Sequence, residues 1–280
     1  MTVLEAIQKS ADFLGKKNVE SPRLQVELLL AHLLKLPRMK LYLNFERVLS
    51  LTEVDSLREL VKRRGQREPL QHIVGSTSFC GYEIVVNRHA LVPRPETELL
   101  AEEGWKFLSE RTTAVLDFGT GTGCIALALA VKCPNAKIIA TDISADALAL
   151  AKENAARNKV SERIEFLQGD GFATLKTEAK LDLIVSNPPY IPSAEIETLQ
   201  PEVKDFDPRA ALDGGADGLD FYRRIAAEAK LFLKPEGKIM LEFGDGQADD
   251  IKKIFENEKW IVEAVKEDYS QRARILIAKK

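Results

Sequence analysis

Beyond residue 112 short apolar runs alternate with longer helical periodicities, and nothing else in the chain constrains its fold as much. The runs fall at 114–118, 137–142, 163–168, 181–186, 237–243, 260–265 and 273–278, with helical patterns between them at 124–132, 145–158, 219–232 and 248–257. Apolar strands alternating with helices indicate a parallel sheet covered on both faces. The pattern predicts an α/β fold with a mostly parallel, seven-stranded sheet. Only a short polar turn separates the last two runs, so one edge is expected to be antiparallel.

The first ~65 residues lack this alternation and read as helices. Thr2 and Glu5 have capping-box spacing, and Val3, Ile7, Ala11 and Leu14 share a face. Ser21 and Pro22 read as a cap followed by proline at the first helical position, with Leu24, Leu28 and Ala31 on one stripe. A further helix opens at Leu51, with Val54, Leu57 and Val61 inward. These residues predict a small helical bundle over 1–70. Two β-rich runs flank Gly81 and predict a hairpin linker over 71–93. Pro93 and Pro95 then lead by a helix into the larger domain, 94–280.

Charge narrows the partners only slightly. Residues 1–80 hold 13 Lys and Arg against 9 Asp and Glu, and the remainder 27 against 34. The mild basic excess suits an acidic partner or RNA, or a merely solvated helix face. No run of 18 apolar residues exists and the opening "MTVLEAIQKSADFLGKK" carries acids early, so neither a membrane span nor a signal peptide is expected. Cys80, Cys124 and Cys133 have no CxxC spacing and His32, His72 and His89 are scattered, so no metal site is expected, and free thiols suit a cytoplasmic location.

Two stretches carry chemistry. "AVLDFGTGTGCIALALA" is a strand, a glycine loop and a helix. Gly119, Thr120, Gly121, Thr122 and Gly123 lie beyond the carboxyl end of the first strand, where open α/β sheets bind ligands. Asp142 closes the second strand, where a carboxylate suits the two hydroxyls of a ribose. A dinucleotide and S-adenosylmethionine both fit this pair, although the G-x-G-x-G spacing departs from the G-x-G-x-x-G of dinucleotide sites. "FLQGDGF" ends the third strand, and its Asp170, Gly171 and Phe172 are candidates for meeting an adenine ring, with Phe172 equally suited to the core.

"LDLIVSNPPYIP" is the second stretch. Its strand adjoins the first in a doubly wound order, so Asn187 faces the glycine loop. Pro188 and Pro189 fix φ and remove N–H donors, leaving the Asn187 side-chain carbonyl and the Pro188 backbone carbonyl as acceptors, with Tyr190 as a flat ring. This set fits a planar NH2 group, its hydrogens accepted by two carbonyls and its plane on an aromatic face. An amide is the demanding case, since breaking its resonance costs ~18–20 kcal/mol by analogy with peptide rotation.

"NPPY" after "DLIVS", with "LDFGTGTG", resembles the S-adenosylmethionine-dependent methyltransferases that act on planar nitrogens. "SPRLQVELLLAHLL", "RRGQREPLQHIVGSTSF", "LVPRPETELL" and "ALDGGADGLDFYRRI" extend the resemblance over nearly the whole chain to the bacterial peptide chain release factor glutamine methyltransferases, a protein-(glutamine-N5) methyltransferase family. The resemblance implies a seven-stranded Rossmann-like methyltransferase sheet, S-adenosylmethionine as cofactor, and methylation of the glutamine side-chain amide in the GGQ motif of class-1 release factors. It also implies that residues 119–123 hold the methionine part, Asp142 the ribose, and Asn187, Pro188 and Tyr190 the target amide. Gly171, Phe172 and Asn187 complete the expected cofactor contacts, and the helical domain is expected to contact the release factor. Relatives often place a bulky aromatic directly after the acid of the third-strand loop, where this chain has Gly171. The alternatives are methylation of a nucleic-acid base amine, against which the pI of 5.8 argues, a cofactor-binding module without catalysis, and an oxidoreductase.

Overall fold

The computed structural model describes residues 1–108, 113–176 and 180–280. Residues 1–76 with 200–206 form one compact unit, and residues 77–199 with 207–280 a second.

The first unit is helical. Helix α1 (Val3–Gly15) opens on the expected capping box: Glu5 N donates to Thr2 Oγ1 at 3.2 Å and Thr2 N to the Glu5 carboxylate at 2.9 Å. In α2 (Pro22–Leu34), Ser21 does not cap. Its backbone is left-handed, φ 47°, and its side chain makes no capping bond, so Pro22 alone sets the start. The inward face also differs from the expected stripe. Leu24 is 40% exposed, while Val26, Glu27, Leu29, Leu30 and Ala31 are buried. Burial pushes the Glu27 carboxyl up, but hydrogen bonds from Arg23, Tyr42 and Arg38 outweigh it and hold the group below its ordinary range. After the short α3 (Arg38–Leu41), α4 (Leu51–Gly65) starts on a second capping box, Ser50 with Glu53. Val3, Ile7, Leu14, Leu30, Leu57 and Val61 form the core between these helices.

Helix α5 (Leu70–Val74) occupies part of the expected hairpin. Gly75 ends it in a left-handed turn, φ 86°, and Ile73 is buried in the helical core. The hairpin itself is β1 (Ser76–Phe79) and β2 (Tyr82–Val85), joined by Cys80 and Gly81 at φ 50° and 82°. Two left-handed residues are what a two-residue turn needs to match strand twist.

The second unit continues with α6 (Pro95–Leu108), β3 (Ala114–Phe118), α7 (Cys124–Lys132), β4 (Lys137–Asp142), α8 (Ala145–Arg157), β5 (Ile164–Gln168) and β6 (Leu181–Ser186). A long excursion holding α9 (Pro201–Lys204) precedes α10 (Asp220–Glu228), β7 (Leu233–Glu242), α11 (Ala248–Asn257), β8 (Ile261–Glu267) and β9 (Ala273–Lys279). The seven strands are ordered β5-β4-β3-β6-β7-β9-β8. All pairings from β5 to β7 are parallel, and at the antiparallel edge β9 pairs antiparallel with both β7 and β8. Successive β3 residues feed opposite cores: Val115 packs with Leu127 and Leu183, Leu116 with Ile184 and Tyr222. Strand β7 begins at Leu233, earlier than expected, because Leu181 pairs with it before a register shift.

The chain leaves β3 toward β4 and β5 on one side, and begins again with β6 on the other. The carboxyl ends of β3 and β6 therefore flank the switch point of the sheet, where such folds take ligands. Among the described residues no helix is long and apolar enough to cross a membrane, and no cluster of His, Cys, Asp and Glu fits a metal ion.

Candidate active site

Pairing between β3 and β6 brings the two predicted stretches together. Asp117 lies opposite Val185, so Gly119 and Asn187 are each two residues past that pair. Ser186 Oγ donates to the Phe118 carbonyl at 2.6 Å, tying the strand ends just before both loops begin.

The glycine loop is held from below. Gly119 N and Thr120 N donate to the Thr141 carbonyl at 3.0 and 2.8 Å. Gly121 N donates to Asp142 Oδ2 at 2.8 Å and Ser144 N to Asp142 Oδ1 at 2.9 Å. Asp142 is thus fixed at the mouth of the crevice, half-buried, with lone pairs left on both oxygens. Thr120 and Thr122 turn inward and are buried, and Thr120 Oγ1 donates to Asp117 Oδ2 at 2.6 Å. Above Gly119, whose φ is 73°, a Cβ would meet nothing within 4 Å, so glycine serves the backbone turn and leaves open space over the loop. Asn154 of α8 donates to the Thr122 carbonyl at 2.9 Å and exchanges hydrogen bonds with Val85, so it joins the loop to the hairpin.

Asp117, under the loop, is fully buried, and its Oδ1 has no partner. Burial raises its carboxyl to about 6, against bonds from Thr120 and Ala126 that lower it and with the charge of Asp142 adding to the rise.

The third-strand loop sits differently from the expected adenine wall. Phe172 is buried, its ring stacked on Phe232 at 5.3 Å and tilted against Phe118 at 5.0 Å, so it fills the core. Gly171 is pressed against the Phe118 ring. Asp170 is engaged by Arg224 of α10 through its carboxylate and its backbone carbonyl.

The chain at 187–190 is fixed by neighbours that sequence reasoning did not single out. Asn187 Nδ2 donates to Thr97 Oγ1 at 3.1 Å. Thr97 adjoins the buried Glu242 at the end of β7, and its hydroxyl favours that carboxyl's charged form. Gln247 Nε2 donates to the Tyr190 carbonyl at 2.9 Å while its Oε1 accepts from Gly244 N. "DGGADGL" packs on the same backbone: Ile191 N donates to the Leu212 carbonyl at 3.0 Å, and Gly214 N to that of Ile191 at 2.9 Å. A side chain at Gly218, φ 77°, would collide with the Tyr190 carbonyl. Tyr190 itself is pushed up to about 12, first by burial and then by the charge of Glu242, so its phenol stays neutral.

"LVPRPETE" becomes intelligible in these terms. Arg94 pairs with buried Asp207 at 2.8 Å, Thr97 holds Asn187, and Glu98 accepts from Cys80 N at 2.8 Å in the hairpin turn. Burial outweighs the Arg94 pairing, and the Asp207 carboxyl is raised to about 6. A signal for Glu242 was present, since it interrupts the otherwise apolar run 239–243. Thr97 and Gln247 gave none, because only the tertiary fold shows what they touch.

Residues 5–75 match the family model of the PrmC N-terminal domain, and residues 96–200 that of the methyltransferase small domain. A release factor glutamine methyltransferase of Geobacter sulfurreducens is 45% identical over 254 residues, 91% of this chain and 88% of that protein. This chain belongs to the release factor glutamine methyltransferase family. A second family member, from Chlorobaculum tepidum, is 42% identical over 89% of this chain and 87% of its own length. Among solved structures, a methyltransferase from Pyrococcus furiosus shares the fold with a TM-score of 0.55 at 24% identity, covering 72% of this chain and 91% of that one. As a member of the release factor glutamine methyltransferases the chain is an S-adenosylmethionine-dependent enzyme. The residues fit that cofactor: open space over Gly119, and at Asp142 a braced carboxylate with lone pairs left on both oxygens. When bound, it supplies an electrophilic methyl group on a sulfonium. The chain's own contribution visible here is a rigid frame, in which Thr97 and Gln247 fix the segment 187–190 beside the glycine loop.

Proposed function

We propose that this protein methylates the side-chain amide nitrogen of the glutamine in the GGQ motif of class-1 release factors, yielding N5-methylglutamine. The observation that carries the reading is the Asn187 amide, whose Nδ2 is committed to Thr97 and whose Oδ1 is left for an outside donor. That oxygen and the Pro188 carbonyl accept the two hydrogens of the target NH2. Both bonds strengthen as the nitrogen gains positive charge, which recovers part of the lost amide resonance. In this reading residues 119–123 hold the methionine part of the cofactor, Asp142 the ribose, and Gly171 and Phe172 the backbone beside the adenine. Residues 1–70 recognise the release factor, 71–93 link, and 94–280 carry the chemistry, all in the cytoplasm where release factors work.

Exposed apolar side chains on the helical unit, Leu43 at 77%, Val48 at 67% and Leu51 at 84%, support a protein partner over nucleic acid. The test offers labelled S-adenosylmethionine with purified release factor and, separately, with RNA. Label on the GGQ glutamine, located by mass spectrometry, is the expected result, and label on a base amine overturns it. Asn187→Ala is expected to lower turnover ~10²–10³-fold with the melting midpoint little changed.

A further inference from the structure

Asn187 is a poor choice of acceptor unless something fixes which end of its amide faces the substrate, because the two ends are nearly isosteric and opposite in hydrogen-bond sense. Two buried groups beside it can do the fixing. Thr97, in the first turn of α6, is 3% exposed, and Glu242, the last residue of β7, is 2% exposed. Thr97 Oγ1 accepts from Asn187 Nδ2 at 3.1 Å, and its hydroxyl favours the charged form of the neighbouring Glu242 carboxyl. A hydroxyl has one proton. Given to Glu242, it leaves only lone pairs for Asn187, which must then present its NH2 to Thr97 and its oxygen to the crevice.

We propose that Thr97 and Glu242 are positioning residues that lock the Asn187 amide with Oδ1 toward the target NH2. The proposal rests on the reading of Asn187 as the target's acceptor. It assigns a use to a buried acid that touches neither ligand, and to a threonine that otherwise only lines α6.

A consequence in pH follows. When Glu242 takes up a proton it becomes a donor to Thr97, whose own proton is freed to turn to Asn187. The Asn187 amide then reverses and offers hydrogens to a substrate group that also has only hydrogens to give. Burial lifts the Glu242 carboxyl to about 7, with the bond from Thr97 lowering it, Glu96 raising it, and Arg274 and Arg94 lowering it. The other titratable groups facing it are Tyr190 and, through its backbone carbonyl, Tyr222 of α10. Both phenols are held well above their ordinary range and stay neutral. Glu242 Oε2 has no partner, so nothing else satisfies the acid's second oxygen.

The test measures methyl transfer to purified release factor by the wild type, Thr97→Val, Thr97→Ser, Glu242→Gln and Asn187→Ala across pH 6 to 8.5. S-adenosylhomocysteine affinity by calorimetry and the melting midpoint are recorded for each. Thr97→Val is expected to lose about 10–100-fold in kcat with cofactor affinity within twofold, and Thr97→Ser to recover most of the loss. Wild-type kcat is expected to fall as pH drops through about 7, and Glu242→Gln to lose that acid limb. Thr97→Val within twofold of wild type while Asn187→Ala is inactive overturns the positioning role and leaves the acceptor role of Asn187 standing. Near-normal Asn187→Ala overturns the acceptor reading itself. If Thr97→Val fails to fold, the profile of Glu242→Gln decides: an unchanged acid limb overturns the proposal.

Discussion

Asp142 and Asp117 show how one residue type is put to two uses by its surroundings. Asp142 is half-open and braces the loop with one lone pair on each oxygen, which leaves the others for the ribose hydroxyls proposed above. Removing it as Asp142→Ala is expected to cost about 1.5–3 kcal/mol, the worth of one charge-assisted bond, so S-adenosylhomocysteine should bind roughly 10–100-fold more weakly by calorimetry. Asp117 is closed off, and burial raises its carboxyl from 3.8 to about 6. The folded protein therefore holds this proton to higher pH than the unfolded chain does. Stability contributed here is fully present below about pH 4, falls as pH rises to about 6, and is level above. The displacement is worth on the order of 3 kcal/mol. Asp117→Asn cannot ionise and keeps one oxygen for Thr120 and Ala126. Its melting midpoint should gain on the wild type between pH 4 and pH 7, and a gap equal at both pH values would count against a buried charge at this position.

At the scale of elements, the site is assembled where strands stop. Gln247, at the amino end of α11, holds the carbonyl of Tyr190 one strand away in sequence and the amide of Gly244 beside it. Gln247→Leu leaves both unpaired, at about 1–3 kcal/mol each. The melting midpoint should drop, and turnover should fall roughly tenfold or more as the ring of Tyr190 loses its anchor; unchanged kinetics would mean that the proline pair alone fixes the loop. The strands themselves were legible because each is an unbroken apolar run with a helix to follow. Asn187 and Asp142 were legible because they interrupt such runs. "LQHIVG" was not, since Ile73 and Val74 favour a strand locally, and only Pro69 ahead of it, Gly75 behind it and burial against the bundle make it helical. Leu24 misled for a similar reason: a stripe of leucines fits several faces of α2, and which one is buried depends on partners the periodicity does not name. Thr97, Asn154 and Gln247 are polar residues that read as surface until the fold encloses or pairs them.

At the scale of the whole molecule, the chain visits the helical unit twice. Residues 200–206 leave the sheet domain after β6 and belong to the unit formed by residues 1–76. Glu202 there accepts from Arg64 at 2.8 Å and is paired with Arg67, which raises the Arg67 guanidinium further, and Gln200 donates to Glu20 at 3.0 Å. Burial pushes the Glu202 carboxyl up, but Arg67 and Arg64 prevail and hold it below its ordinary range. Glu202→Ala would leave buried Arg64 without its ion partner, a loss on the order of 3 kcal/mol. The melting transition should move down while S-adenosylhomocysteine affinity stays within twofold, because every proposed cofactor contact lies in the other unit. The double visit also sets a rule for anyone recombining relatives of this protein. A chimera joined once, near residue 76, would graft a new head onto a body that still carries the old head's missing piece, with Glu202 addressed to arginines that are no longer there. Two crossovers are needed, one at the hairpin and one enclosing residues 200–206, for the exchanged part to arrive whole.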